Sequence, residues 1–234
     1  MSNLAIIPAR GGSKRIPRKN VKSFLGKPII AYSIEAALNS KLFDEVMVST
    51  DDNEIAEIAI QYGAKVPFLR SVDNSNDYAV LADVIQEVLI DYKKINVSYD
   101  IICCILPTAP FITSNKIIAA YNKLKNDNLD SVFPVIEYSF PIQRSLSIDE
   151  DKVSMVWNQY LNSRSQDLEP RYHDSGQFYW LNSISFGKEK KLFTDNSGAI
   201  IISELQAQDI DSEIDWKLAE IKFKLMADEQ KNNL

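Results

Sequence analysis

The chain reads as an α/β domain with a mainly parallel central sheet and helices on both of its faces. Three observations predict this. Short apolar runs alternate with stretches of helical period through the first 136 residues. One of those runs, Ile101–Leu106, is apolar throughout, as a strand buried on both faces must be. The 234 residues are 45% hydrophobic, enough for one substantial core. A single domain over residues 1–234 is expected, interrupted by a polar insertion at 137–174.

Taken in order, Leu4–Ile7 predicts a buried strand running into a glycine-containing loop. Pro28 suits the first turn of a helix over Ile29–Asn39. Glu45–Ser49 is the next strand, Asp51 or Asp52 can cap a helix over Glu54–Tyr62, and Gly63 ends it. Val66–Leu69 predicts a short strand. Leu81, Val84, Ile85, Val88 and Leu89 give Tyr78–Ile95 a helical period. Ser114–Lys125 predicts a further helix and Ser131–Ile136 a further strand. Between Glu137 and Asp174 the alternation lapses into polar sequence expected to form a hairpin or loops, covering a site or building a dimer contact. Strand character returns at Gln177–Asn182 and Ala199–Ile202. A last helix places Ile214, Leu218, Ile221 and Leu225 at helical spacing, with Ser212 as its N-cap.

Composition narrows the classes of function. A net charge of −6 argues against general nucleic-acid binding. No run approaches the roughly 18 apolar residues of a membrane helix, and Leu4–Pro8 is too short for a secretory leader. Cys103 and Cys104, adjacent in an apolar run, fit buried thiols of a reducing cytoplasm. With a single histidine, they leave no ordinary zinc site. The charge is also unevenly placed. Residues 1–34 hold seven cations and no acid, so they carry +7 against −13 over the remaining 200. This fits either a solvated basic face or a site for a small, highly charged anion.

The loop Ala9-Arg10-Gly11-Gly12-Ser13-Lys14 follows the first strand, at the sheet edge where open α/β folds hold ligands. Gly11 and Gly12 free the backbone to turn N–H groups toward phosphate. The pattern is neither a Walker A loop nor the dinucleotide fingerprint. Five cationic side chains between Arg10 and Lys19 suit transfer at a nucleotide's α-phosphate, where three phosphates need neutralising and pyrophosphate must leave. Arg10 can grip phosphate bidentately, and Lys19 can act as a point charge. Near the other end, Asp209-Ile210-Asp211 places two carboxylates on one side of an extended segment, within reach of one Mg²⁺. Acidic residues also favour a helix N-terminus, which accounts for Glu213 and Asp215. Glycosyltransferases of the GT-A type use Asp-x-Asp as well, so a nucleotide-sugar transferase is the alternative class.

In these blocks the chain resembles the acylneuraminate cytidylyltransferase family. The resemblance runs nearly end to end. It rests on Ile6-Ile7-Pro8-Ala9-Arg10-Gly11-Gly12-Ser13-Lys14, Pro17-Arg18-Lys19-Asn20, Gly26-Lys27-Pro28 and Val48-Ser49-Thr50-Asp51-Asp52. It continues through Val66-Pro67-Phe68-Leu69-Arg70, Pro107-Thr108-Ala109-Pro110, Asp174-Ser175-Gly176-Gln177-Phe178-Tyr179-Trp180 and Asp209-Ile210-Asp211. It implies a Rossmann-like, GT-A-like nucleotidyltransferase fold whose 137–174 extension helps form a homodimer. It implies transfer of CMP from CTP to a nine-carbon acidic sugar, without nucleic acid or membrane. CTP contacts fall on Ala9, Arg10, Gly11, Gly12, Ser13, Lys19, Asn20, Arg70 and Asp77, and Mg²⁺ on Asp209 and Asp211. Arg10, Lys19 and Asp211 are the catalytic candidates. Gln143, Arg144, Arg164, Arg171 and Gln177 are the candidate sugar contacts.

Sialic acid members of the family usually read Lys-Gly-Ile/Leu-Pro-Gly-Lys-Asn, where this chain has Arg15 and Arg18 in place of both glycines. They tend to read Gln-Pro-Thr-Ser-Pro-Leu-Arg where it has Leu106 to Ile112. Losing that Gln and Arg and gaining Phe111 predicts a more apolar acceptor pocket. That suits pseudaminic acid, a deoxy sugar with a terminal methyl, and legionaminic acid equally, over N-acetylneuraminic acid. His173, alone in a polar loop, is expected to be solvated structure.

Overall fold

In the computed structural model, which describes residues 1–232 with side chains placed through 228, the elements follow one another as predicted with three kinds of difference. The order is β1 Asn3–Pro8, β2 Ser23–Phe24, β3 Lys27–Pro28, α1 Ile29–Ser40, β4 Glu45–Ser49, α2 Asn53–Gln61 and α3 Leu81–Lys94. Then come β5 Ile101–Ile105, α4 Ser114–Asn126, β6 Ser131–Glu137, β7 Leu146–Asp149, β8 Lys152–Met155 and β9 Tyr172–Asp174. The chain ends with β10 Phe178–Asn182, α5 Ser183–Glu189, β11 Ser197–Ile202 and α6 Glu213–Asn232.

Seven strands form one sheet in the order β11-β6-β10-β5-β1-β4, with β9 pairing β6. The pairs β1–β4, β1–β5 and β6–β11 are parallel. Strand β10 runs antiparallel between β5 and β6, and β9 antiparallel to β6. Successive side chains of β1 enter different cores because strand residues alternate in direction. Ala5 and Ile7 pack with Ile30 and Ile34 of α1, Ile55 of α2 and Ile117 of α4. Leu4 and Ile6 pack with Ile85, Val88 and Tyr92 of α3. The same alternation sends Cys103 to the first core and Cys104 to the second, both as free, buried thiols.

Local chemistry sets the helix starts. The Asp52 carboxylate caps α2 by accepting from Ile55 N at 3.0 Å, and Gly63 beyond it takes φ +91°, a backbone only glycine adopts freely. The Ser212 hydroxyl accepts from Asp215 N at 3.3 Å while the Asp215 carboxylate accepts from Ser212 N at 2.7 Å, a reciprocal cap on α6. Thr113 caps α4 through Lys116 N. The Lys116 amine is turned inward onto the Phe111 carbonyl at 3.1 Å, and burial pushes its pKa down to about 8 from an ordinary 10.5. Between those values the folded protein binds fewer protons than the unfolded chain, so this group's burial costs stability at neutral pH and the cost fades as pH rises. Lys116→Met is therefore expected to raise Tm at pH 7 and to lose that advantage by pH 10.5. Melting curves of both proteins across the range check this. A difference independent of pH would contradict it.

The departures have physical causes. Val66–Leu69 is no strand: only single bridges, Met47 to Lys65 and Thr50 to Leu69, tie it beside β4. Four elements went unpredicted, β2, β3, β9 and α5, each too short to show a period. Helix α6 is rotated from its expected face. Ile214 and Ile221 are 71% and 54% exposed, with Leu218 and Leu225 also exposed. The inward stripe is Trp216, Ala219, Phe223 and Met226, because Trp216 and Phe223 both meet the Phe24 ring edge-on, at 5.6 and 5.7 Å.

That stripe matters for the site. The same apolar cluster contains Ile16 from the basic loop and Ile210 from between the two aspartates. Two segments almost 200 residues apart are thus stapled together by buried hydrocarbon. The 137–174 region is the hairpin β7–β8 followed by short turns and β9, with Glu150 and Asp151 both at positive φ in a two-residue hairpin loop. Its Phe140, Leu146, Ile148, Val153 and Leu161 are exposed.

Candidate active site

The basic loop leaves the carboxyl end of β1 and is held from below. Ala9 is fully buried, its N–H donating to the Ser49 carbonyl at 2.9 Å. Gly11 N–H donates to Asp51 at 2.9 Å, and a Cβ on Gly11 would meet the Asp52 carboxylate at 2.7 Å, so glycine is required by this close approach. Gly12 faces open space. Asn20, 7% exposed, donates to the Arg10 carbonyl at 2.9 Å and closes the loop on itself.

Arg18 takes φ +55°, a left-handed conformation in which a glycine is unstrained. Its guanidinium forks onto the Asp52 carboxylate at 2.5 and 3.0 Å and also reaches Glu54. That bond holds the Asp52 carboxyl down at about 2. Arg18 thus latches the loop to the N-terminus of α2.

The loop and the carboxyl-terminal segment border a cavity of about 480 Å³, lined by Arg10, Ser13, Lys14, Arg15, Lys19 and Asn20 together with Asp77 and Asp211. The Lys19 ammonium donates to the Ile210 carbonyl at 2.6 Å and stands 3.6 Å from Asp211. Arg15 pairs with Asp211 at 2.8 Å. Arg10 pairs with Asp77 at 2.9 Å, and Lys14 bonds the same carboxylate. The Lys14 bond, reinforced by both positive charges, lowers the Asp77 pKa. Every one of these cations is matched by a carboxylate that an arriving polyanion would displace.

Asp209 lies on the far side of Ile210 and faces a second cavity of about 480 Å³, which shares the Leu106 wall with the first. Burial, and then the charge of Asp211, push the Asp209 pKa up, while Lys19 opposes the shift. The two carboxylates thus line different cavities instead of sharing one side of the segment as the sequence predicts; as a donor pair they suit a Mg²⁺ that completes its shell with water and phosphate oxygen. Among the described residues no three His, Cys, Asp or Glu side chains gather as a metal-binding group.

Other expected contacts stand elsewhere. Arg70 is 8% exposed and spends its guanidinium on the Ser49 hydroxyl at 3.0 Å and on the Ser49 carbonyl. It supports the loop from beneath and lines neither cavity. Of the sugar candidates, Arg164 is paired with Asp167 at 2.7 Å, Arg144 leans on the Ser163 carbonyl, and Gln143 donates to the Glu169 carbonyl. Arg171 gives its carbonyl to Tyr138 N–H. Gln177 is 2% exposed and donates to Gln206 O at 2.7 Å. None of the five lines the second cavity, whose wall includes Asp174, Ser175, Gly176 and Lys222, residues not singled out as site candidates in the sequence. Asp174-Ser175-Gly176 was within a recognisable block, whereas Lys222 carried no signal. His173 belongs to this wall rather than to a free loop, with Nδ1 2.9 Å from the Asp174 carbonyl. Phe111, expected in the acceptor pocket, is buried with Phe223 beneath α6, because the aromatic cluster there takes it. Leu106 alone of the altered 106–112 segment lines the second cavity.

A family model described as Cytidylyltransferase matches residues 4–191. The chain belongs to that family. Among its relatives, this cytidylyltransferase is similar to a pseudaminic acid cytidylyltransferase of Campylobacter jejuni, with 44% identity over 226 residues covering 96% of this chain and 97% of the other. It is also similar to a CMP-N,N'-diacetyllegionaminic acid synthase of Legionella pneumophila, with 34% identity over 94% of this chain and 95% of the other. The fold matches the solved structure of CMP:2-keto-3-deoxy-manno-octonic acid synthetase complexed with CTP. Its TM-score is 0.70 at 19% identity, covering 98% of this chain and 100% of that one. The cytidylyltransferase fold thus carries the mainly parallel sheet expected from the sequence. No described helix is long and apolar enough to cross a membrane.

Proposed function

We propose that this cytidylyltransferase transfers CMP from CTP to the anomeric hydroxyl of a nine-carbon 2-keto sugar acid, pseudaminic acid, and releases pyrophosphate. The observation that carries the reading is the junction at Lys19, whose ammonium bonds the Ile210 carbonyl between the two aspartates. It brings the phosphate-binding loop and the candidate metal carboxylates to one place. The choice of acceptor is supported by the 44% identity to a pseudaminic acid enzyme and by Leu106 in the wall of the second cavity.

In this reading the triphosphate enters the first cavity, and Arg10, Lys14 and Arg15 exchange their carboxylate partners for phosphate oxygens. Asp77 is displaced rather than bonded to phosphate. Gly11, Gly12, Ser13 and Asn20 shape the backbone cradle around the nucleotide. Mg²⁺, held by Asp209 and Asp211, supplies neutralisation of charge on the phosphates. Lys19 stabilises the charge that develops on the α-phosphoryl group as the sugar oxygen attacks and pyrophosphate departs. The sugar takes the second cavity, which adjoins the first at Leu106. Most of the acceleration comes from this positioning.

The enzyme works in the cytoplasm as a homodimer through the 137–174 extension. The exposed Phe140, Leu146, Ile148 and Val153 of that extension support the dimer, since apolar surface gathered on one projecting segment favours burial against a second copy. Sedimentation at twice the 26.5 kDa chain mass is expected, and sedimentation as a monomer would contradict it. The reaction itself is tested by mixing protein, CTP and Mg²⁺ with pseudaminic, legionaminic or N-acetylneuraminic acid and measuring pyrophosphate. Fastest release with pseudaminic acid is expected. Fastest release with either other acid overturns the acceptor, and none with any acid overturns the reaction.

A further inference from the structure

The second cavity presents a charge problem. Glu137, Asp174, Glu204 and Asp209 are among the residues that line it, the Asp174 carboxylate accepting from Gly176 N–H and the Tyr179 hydroxyl, and among the described residues Lys222 is the one lysine or arginine in its wall. An acceptor that is itself an acid, as the reading above requires, would meet a wall richer in acidic than in basic residues, with little to attract it. In a 2-keto sugar acid the carboxylate sits on the same carbon as the attacking hydroxyl. If the hydroxyl approaches the phosphorus beside Asp209, the carboxylate arrives in this cavity with it.

We propose that the Lys222 ammonium binds the acceptor's carboxylate and so fixes which oxygen attacks. Lys222 reaches in from α6 and donates to the Glu204 carbonyl at 3.1 Å and the Ala207 carbonyl at 3.0 Å. An ammonium has three N–H donors, so two are fixed on the loop that leads to Asp209 and one is left for a ligand. The two carbonyls hold the charge in a set place instead of leaving it on a swinging stem. Ser175, in the same wall, has a buried hydroxyl with no hydrogen-bond partner among the described residues. The arginines of the extension are no substitute within one chain, since Arg164 is tied to Asp167 and Arg144 and Arg171 stand outside the cavity.

This inference rests on the sugar-acid reading, and the experiment separates the two. Steady-state pyrophosphate release is measured for the wild type, Lys222→Gln and Lys222→Arg with CTP and the acid varied in turn. Glutamine keeps donors for the two carbonyls but carries no charge, so it tests the cation rather than the scaffold. Loss of one charge-assisted bond is expected to raise the KM for the acid about 10- to 100-fold, with the KM for CTP within about twofold of wild type, and arginine is expected to recover most of the difference. An unchanged KM for the acid, as when a partner subunit supplies the cation, overturns the proposal. Equal rises in both KM values, reproduced in the arginine variant, would mark Lys222 as scaffold only and overturn it too. A wild type inert toward every acid sinks the sugar-acid reading itself.

Discussion

Asp211→Asn is expected to lower kcat by about 10³-fold or more, as expected when a group acting on the transition state is lost, while the protein stays folded. The side chain is 44% exposed and its pairs with Arg15 and Lys19 are open to solvent. Exposed pairs of this kind contribute about 0–1 kcal/mol, so Tm should move little. Asparagine keeps the shape of the carboxylate but loses the charge that a divalent cation requires. A second consequence follows from the free state. Asp211 neutralises Arg15 and Lys19, so removing it leaves those cations for the nucleotide. In the presence of a chelator, Asp211→Asn should therefore bind CTP more tightly than wild type, by calorimetry, even though it fails to turn over. Activity that is unchanged at limiting Mg²⁺ would refute the metal assignment.

Lys19→Met is expected to cost about 10²- to 10³-fold in kcat, the size of effect seen when one donor is removed from a developing anion. Lys19→Arg should restore part of it, since charge is kept but the compact ammonium is not. The neighbouring Lys14 makes the comparison sharp. Its side chain is 80% exposed against 21% for Lys19, and charge acting through water is worth far less than charge acting through protein. Lys14→Met should therefore lose less than about tenfold, read mainly as a higher KM for CTP. Equal losses at the two lysines, in steady-state assays with saturating acid, would show that the loop acts as a diffuse basic surface.

Much of this was legible because the relevant signals are local. Strands β1 and β5 are apolar runs, the loop after β1 concentrates cations and glycines, and Asp52 and Ser212 are caps that act within four residues. What escaped depends on contacts between distant parts of the chain. Helix α6 offers two apolar stripes of helical period, and only the packing of Trp216 and Phe223 on Phe24 decides between them. The arginines of the extension were candidate sugar contacts through the family resemblance, yet Arg164 is satisfied three residues away by Asp167. Lys222 lies 13 residues beyond Asp209 on a helix otherwise read for its hydrophobic face, so nothing in its neighbourhood marks it. The staple of Ile16, Ile210 and Trp216 brings both ends of the chain to one site, and it too is visible only after folding.

The most direct measurement is a crystal structure of the protein with Mg²⁺ and a non-hydrolysable CTP analogue. The triphosphate should lie between Arg10 and Lys19 on one side and Asp211 on the other, with the cation touching Asp209 and Asp211. A nucleotide seated away from Lys19, or a cation bound without either aspartate, would contradict the shared phosphate and metal centre.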